Sequence, residues 1–496
     1  MVHSAPQRQV LLLTNSDYGQ CTPFIALTQA LAKQPNVHIH FASFAEAGTR
    51  VSKVWDSIQA SRELGIGSSL TFYDIGGLST SDVSSSRKPS AIAHPPGFFG
   101  AVRSYSKISQ VALRWRAEQY MLGVKGCMRV IEDVGPHVIV LDHSFGQGYD
   151  ACTKLGNNFI LTGSFSLKEL TMELQPSFIL NYPVISSGFA YPLLWSQVLS
   201  NIGLFICLLL NLFTSPHFQS INAVRRAFGL PEALPIFRPF EKDVEFLAPM
   251  IPELDFHLTY IPENITLCGP LNLSVSSLAQ YDVLMTKWLR TGQGRTVLVN
   301  LGAHKLRDKV TTVAIARALS SVLQHESDAG RYLQILWKLK VSEEAKVDDV
   351  INDELGKEMQ KGRIRIVDWL DVEPFATLEE GHIICSVHHG GAGTFLESAV
   401  TGVTQIILPN AYDEYEYARR VEYLGVGIYA NKLCAPDVDA AELASSLLQV
   451  IAPENEYSRR AKELAGICRD KCGGREKAAR RILEVADGVL GKGKYS

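Results

Sequence analysis

Two kinds of apolar patterning alternate along this chain. Val10–Thr14, Val37–Phe44, Val138–Leu141 and Asn158–Thr162 are short, nearly continuous apolar runs, the mark of strands buried on both faces. Between them apolar positions recur at helical spacing. Thr22-Pro23 opens one such stretch, which predicts a helix through Lys33 with proline at its first position, and a longer helical region runs from about Gly100 to Val134. The second half repeats the scheme. Strand Arg295–Asn300 leads through the turn Leu301-Gly302-Ala303-His304 to a helix over Lys309–His325, and strands follow at Leu333–Lys338, Ile364–Val367, Gly381–Val387 and Thr404–Pro409. Strands alternating with helices predict an α/β protein with two doubly wound parallel sheets and right-handed crossovers. A hinge is expected after Ile265–Pro270, giving domains 1–268 and 269–474 and a closing basic amphipathic helix in 475–496 with a solvated charged face.

Two segments break the rhythm. Leu78–Ser90 is serine-rich and carries Arg87-Lys88-Pro89, which reads as a mobile surface insertion. Gln175 to Pro239 is rich in proline and aromatic residues and suits either plain packing or a wall for an apolar ligand. Within it, Val198 to Phe213 is apolar but shorter than the ~18–20 residues of a bilayer span. It predicts a buried or acceptor-facing helix, with peripheral membrane contact as the alternative.

Composition narrows the class. A chain of 496 residues fits two domains of roughly 200–250 residues each. A net charge of −3 shows no nucleic-acid footprint. Nine scattered cysteines point to free thiols in a reducing compartment, and Cys468 and Cys472 lack a second pair at zinc-ligand spacing. The apolar run Val10–Leu13 is too short for a signal-peptide core, so a cytoplasmic location is expected and the sequons at Asn264 and Asn272 are expected to stay unmodified.

The chemistry concentrates in His388-His389-Gly390-Gly391-Ala392-Gly393-Thr394-Phe395-Leu396-Glu397. A strand, a glycine turn and a helix start would offer backbone N–H groups and a positive helix end to a diphosphate. The next strand delivers Asp413 and Glu414 to the same sheet edge, where carboxylates suit sugar hydroxyls. Thr394 with Glu397, and Asp413 with Glu416, also have the spacing of helix-capping pairs. His388 is expected to point the other way along its strand.

Together with Trp369, Gly402, Pro409 and Arg419–Gly425, this block resembles the family-1 glycosyltransferases of the UDP-glycosyltransferase superfamily. Asn15–Gln20, Trp369–Pro374, Tyr182-Pro183 and Ser186–Phe189 are similar to the fungal subgroup that decorates secondary metabolites. The resemblance implies a GT-B fold, with an acceptor-binding first domain, a donor-binding second domain, and a last helix packing back toward the first. It implies an inverting hexosyl transfer from a nucleoside diphosphate sugar to a hydroxyl or carboxyl of a lipophilic molecule such as a terpenoid or polyketide. No cofactor or metal is implied beyond the sugar nucleotide as co-substrate. The one Asp-x-Asp, Asp437-Val438-Asp439, reads as a cap. A sterol glucosyltransferase and a non-catalytic nucleotide-sugar-binding protein are the alternatives. Carried over by position, Trp369 would stack on the base and His389 would meet the diphosphate. Gly302, Gly391, Gly393 and Thr394 would shape the phosphate site, Glu397 would take the ribose hydroxyls, and Asp413 and Glu414 the sugar. Two positions depart from the family, where glutamine is usual at Glu414 and plant members have tryptophan at Ala392.

The base is the main departure. Where the family has a histidine, this chain has Gln20, and an amide is no proton acceptor at neutral pH. The supporting aspartate is matched by Asp142. Asp17 in the same loop is the first candidate base, His143 beside Asp142 the second, and a site without a dedicated base the third.

Overall fold

The computed structural model describes residues 7–85, 92–230, 240–274, 278–302, 308–340, 347–370 and 373–492; positions 87–90, 303–304 and 371–372, named above, lie outside them. Two parallel sheets carry the fold. The first comprises β1 (Arg8–Leu13), β2 (Val37–Ser43), β3 (Ser69–Asp74), β4 (Val138–Asp142), β5 (Ile160–Thr162), β6 (Glu245–Ala248) and β7 (Ile265–Leu267), in the order β3-β2-β1-β4-β5-β6-β7. The second comprises β8 (Thr296–Asn300), β9 (Gln334–Lys338), β10 (Ile364–Val367), β11 (Ile383–His388), β12 (Thr404–Ile407) and β13 (Gly427–Tyr429), in the order β10-β9-β8-β11-β12-β13. All strand pairings are parallel.

The continuous apolar runs have a direct cause. Val10 and Leu12 of β1 enter one hydrophobic cluster with Val138 and Val140, whereas Leu11 and Leu13 enter another with Ile139 and Leu141 on the opposite face. Successive side chains of a strand point to opposite faces, so a sheet covered by helices on both sides needs apolar residues at every position. In each sheet the strand order reverses direction once, between β1 and β4 and between β8 and β11. Adjacent loops leave the sheet in opposite directions there, which opens a crevice at the carboxyl ends. Asn15–Gln20, Asp142-His143, Leu301-Gly302 and His389–Gly391 all follow these four strands.

Three helices differ from expectation. The first begins at Tyr18, not at Pro23, and runs to Ala32 with Asp17 at its N-cap position. Proline at position 23 has no N–H for the Gly19 carbonyl, and the Ser164 hydroxyl supplies that hydrogen bond at 3.0 Å. A side chain distant in sequence thus lets the helix start early, which aims its first turn into the crevice. The region from Gly100 to Val134 is two helices, Phe98–Ala112 and Ala117–Val134. The apolar helix is Trp195–Thr214, 20 residues, long and apolar enough by length and composition to cross a membrane. It is not a core helix: Asn201 and Leu204 are buried, while most of its remaining length is half-buried or exposed.

The last helix, Gly474–Lys492, crosses back to the first half, burying Ala478, Ala479, Ile482, Leu483 and Ala486 in the cluster of the Tyr18–Ala32 helix. Its charged face is not wholly solvated. Arg481 grips Glu245 at 2.6 and 2.9 Å, and Arg475 donates to the Asn272 carbonyl at 2.8 Å.

Candidate active site

A cavity of about 310 Å³ lies between the carboxyl edges of the two sheets. From the first half it is lined by Asp17, Tyr18, Gly19, Gln20 and Ser164; from the second by Asn300, Gly302, Lys338, Trp369, Glu373, His389, Gly391, Gly393, Thr394, Glu397 and Asp413. Asp142, His143 and Glu414 are not part of this lining.

The glycine turn after β11 follows from strand alternation. His388, the last residue of β11, is fully buried, bonded through Nε2 to Gln405 Oε1 (3.0 Å), and accepts the Gly390 N–H on Nδ1 (3.2 Å). Burial lowers its pKa to about 4, which keeps the ring neutral. His389 therefore faces the other way, into the cavity. Two glycines make room: a Cβ on Gly390 (φ +98°) would fall 2.9 Å from the Glu414 carbonyl oxygen, and one on Gly391 would fall 2.7 Å from His389 Nε2. Helix Ala392–Thr401 starts with Gly391 at the N-cap and no side chain capping it. Thr394 and Glu397 do not form the capping box their spacing allows; they lie inside the helix and line the cavity. The open helix end is suited to an anion. Gly391→Ala is expected to weaken nucleotide binding by about tenfold or more, measured by calorimetry, with the circular dichroism spectrum unchanged. Unaltered affinity would show that His389 has room to move.

At the Trp369 end of the cavity, the indole is 44% exposed, with the Lys338 ammonium 3.7 Å from its ring centroid and Tyr18 edge-on at 6.1 Å. Burial lowers the Lys338 pKa to about 8. Glu373, four residues beyond Trp369, is claimed by the first half. Its Oε1 takes Arg50 at 2.9 and 3.2 Å, its Oε2 takes the Tyr18 hydroxyl at 2.6 Å, and the Arg50 guanidinium stacks over the Tyr18 ring at 3.8 Å. This clasp holds the Trp369 end of the cleft against the helix that carries Gln20.

Two of the four carboxylates that line the cavity, Glu397 and Asp413, are displaced upward in pKa. Burial, reinforced by Glu373 and opposed by Arg50, pushes Glu397 up to about 8; burial and the neighbouring Glu169 and Glu414 carboxylates raise Asp413. An acid with a raised folded-state pKa binds more protons folded than unfolded. Stability is therefore full below about pH 4.3 and falls as pH rises toward about 8. Glu397→Gln is expected to match the parent in melting temperature near about pH 4.5 and exceed it near about pH 8, while losing nucleotide affinity. Parallel melting curves at all pH values would refute this. Glu414 faces the backbone instead, accepting the N–H groups of Asn410 (2.9 Å) and Ala411 (3.2 Å). Glu416 pairs with Lys168 and Arg420 rather than capping. Asp439 caps helix Ala440–Ile451 through the Glu442 N–H at 2.8 Å.

On the other wall, Asn15 links Gln20 and Asp142 in an amide relay. Asn15 Oδ1 accepts the Asp17 backbone N–H at 2.7 Å, which fixes that amide's orientation. Its Nδ2 then donates to Asp142 Oδ2 (3.4 Å) and to Gln20 Oε1. Gln20 lines the cavity with its oxygen held by Asn15, which leaves its NH₂ group as a donor. Asp142 is buried, accepts Thr14 Oγ1 (2.8 Å) and the Ser144 N–H and hydroxyl (2.9 and 2.7 Å), and is raised to about 6 by burial. Asp17 faces the cavity with Arg114 at 3.3 Å. His143 packs against Phe165 and Phe246, its ring centroid 5.2 and 6.1 Å from theirs.

Asn15, Tyr18 and Glu373 lie within Asn15–Gln20 and Trp369–Pro374, and the sequence alone gives them no role. Arg50 and Lys338 had no local signal: Arg50 and Glu373 are 323 positions apart.

The family described as erythromycin biosynthesis protein CIII-like, C-terminal domain, matches residues 347–470. Glycosyltransferase sdnJ of Sordaria araneosa is 30% identical over 516 residues, spanning 98% of this chain and 99% of that protein. Among solved structures, the glycotransferase of kitacinnamycin superposes with a TM-score of 0.65 at 15% identity, over 97% of this chain and 100% of that one. A UDP-glucosyltransferase from Polygonum tinctorium capable of glucosylating indoxyl gives 0.63 at 15% identity, over 98% and 100%.

Proposed function

The chain belongs to the family-1 glycosyltransferases, GT-B enzymes that move sugars to small-molecule acceptors, and on that premise we propose the following reaction for it. A hexose passes with inversion from a nucleoside diphosphate, UDP, to a hydroxyl of a lipophilic terpenoid or polyketide of secondary metabolism. The observation that carries the reading is the cavity in which the glycine turn of one sheet meets Asp17 and Gln20 of the other.

In this reading Trp369 stacks on the base, Glu397 takes the ribose hydroxyls, and Gly302, His389, Gly391, Gly393 and Thr394 surround the diphosphate. Asp413 holds the sugar, with Glu414 supporting it by shaping the Asn410–Tyr412 turn. The Gln20 NH₂ donates to the acceptor oxygen and leaves its proton toward Asp17, which removes it as that oxygen bonds to the anomeric carbon. The bond from that carbon to the diphosphate breaks, and its electron pair leaves with the phosphate, stabilised by the helix end and His389. Asp142 acts through Asn15 by orienting Gln20. A hydroxyl suits this wall better than a carboxylate, because Asp17 already places an acidic group on it. Neutralisation by N–H dipoles makes the transfer metal-independent, so EDTA is expected to leave turnover unchanged. A cytoplasmic location with peripheral lipid contact through 198–213 belongs to the same reading.

The test is mass spectrometry of products from a panel of nucleotide sugars against terpenoid, polyketide and sterol acceptors. Transfer to a terpenoid or polyketide is expected. Transfer to sterols alone would redirect the acceptor class, and nucleotide-sugar binding with no transfer or hydrolysis would make the protein a sensor.

A further inference from the structure

We propose that the Trp195–Thr214 helix docks on an anionic lipid bilayer, lying in the headgroup plane with its outer face inserted; this rests on the reading that the acceptor is lipophilic. Trp195 is 94% exposed, Leu199 82%, Ile206 51%, Leu210 59% and Phe213 73%. Their spacing puts them along one side of the helix, a stripe about 27 Å long at 1.5 Å per residue. An apolar stripe of this length on a protein surface marks an interaction site.

The opposite face decides that the helix lies on a bilayer and does not cross it. Asn201 is fully buried, donates to the Ile179 and Tyr182 carbonyls and accepts the Val184 N–H, each at 2.9 Å. Leu204, on the same side, is fully buried in a cluster with Ala101, Tyr105 and Val184. One side is therefore bolted to the protein along its middle, and only the other is free for lipid.

Charge selects the occupant. From Ile92 to Arg116 the chain carries Arg103, Lys107, Arg114 and Arg116 and no Asp or Glu, and from Leu174 to Leu230 it again has none. The whole chain, by contrast, has 51 acidic against 48 basic residues. Arg103 and Lys107 are exposed on helix Phe98–Ala112, which packs beside the apolar helix, and Phe99 on that helix is 84% exposed. An apolar stripe with a basic rim and no carboxylates complements an anionic headgroup layer over acyl chains. The anchoring segment continues to Gly188, whose carbonyl accepts Arg419 Nε at 2.8 Å, tying this face to the helix that begins beside Asp413.

The test is co-sedimentation of the full chain with vesicles of phosphatidylcholine alone or with about a third phosphatidylserine. Binding to the anionic vesicles is expected to be at least about tenfold tighter and to fall steeply in about 0.5 M salt. Leu199→Glu with Phe213→Glu should cut it by about tenfold or more, and Arg103→Glu with Lys107→Glu should remove the anionic preference, with nucleotide affinity unchanged in both. Equal binding to both vesicles, or none, overturns the proposal. So does a dimer in light scattering that the Leu199→Glu, Phe213→Glu pair splits, since a second copy would then cover the stripe. Because sedimentation requires no turnover, its failure is distinct from failure of the transfer reaction.

Discussion

Replacing Asp17 with asparagine is expected to lower kcat by about a thousandfold while nucleotide affinity stays within about twofold. Removing a general base typically costs 10²–10⁴ in rate. Of the groups on the first-half wall, Gln20 is an amide whose oxygen is held by Asn15, and Asp142 is enclosed by Thr14 and Ser144. Asp17 is the carboxylate of that wall that faces the cavity. Nucleotide affinity should survive because the phosphate turn, Trp369 and Glu397 all belong to the other half. His143→Ala is the control. Packed between Phe165 and Phe246 outside the cavity, it should reduce stability more than rate. Single-turnover kinetics on both variants measures this, and full activity of Asp17→Asn would dismiss the mechanism. A loss confined to His143→Ala would move the base to the imidazole.

Arg420→Ala is expected to destabilise the protein by about 3 kcal/mol, lowering the melting temperature by about 5 °C. Arg420 is fully buried on the helix Glu414–Leu424 and joins the two halves. It bonds Asp255 at 2.9 Å and Glu416 at 2.9 Å, with its guanidinium carbon 4.4 Å from the Tyr417 and 4.8 Å from the Phe256 ring centroids. Glu416 in turn pairs with Lys168 from the first half at 2.5 Å. A buried pair adds little over an apolar replacement of equal volume, but deleting one partner strands the other charge. Asp255 keeps the backbone N–H groups of Phe256 (2.7 Å) and Lys168 (2.9 Å), and Glu416 keeps Lys168, which places the cost at the lower end of the usual range. Differential scanning calorimetry tests this; an unchanged midpoint would mean that water replaces the guanidinium without penalty. Because the network lies behind Asp413, the variant should also lose activity at temperatures where it remains folded.

Much of this site is written locally. The turn from His389 to Glu397 is one stretch of chain, and its strand, glycines and helix start depend on alternation and positive φ, which neighbouring residues dictate. The same holds for the buried strands, whose apolar runs report helices on both sheet faces before any helix is placed. The capping-box reading of Thr394 and Glu397 was equally local and did not hold, because the helix begins two residues before Thr394. Its spacing alone could not distinguish a cap from a cavity wall.

What the amino-acid sequence determined by itself is therefore the α/β class, the doubling of the sheet and the glycine turn after β11, since each rests on periodicity and turn chemistry within a few residues. Tertiary structure decided the partners. The Asp17 N–H orients Asn15 and through it Gln20, with Asp142 127 positions from Asn15 completing the relay; Ser164 lets the first helix start before Pro23; Glu373 is clasped by Tyr18 355 positions away. Those choices depend on which donor lies within about 3 Å of which acceptor once two sheets face each other, a property of register and packing that no local pattern encodes.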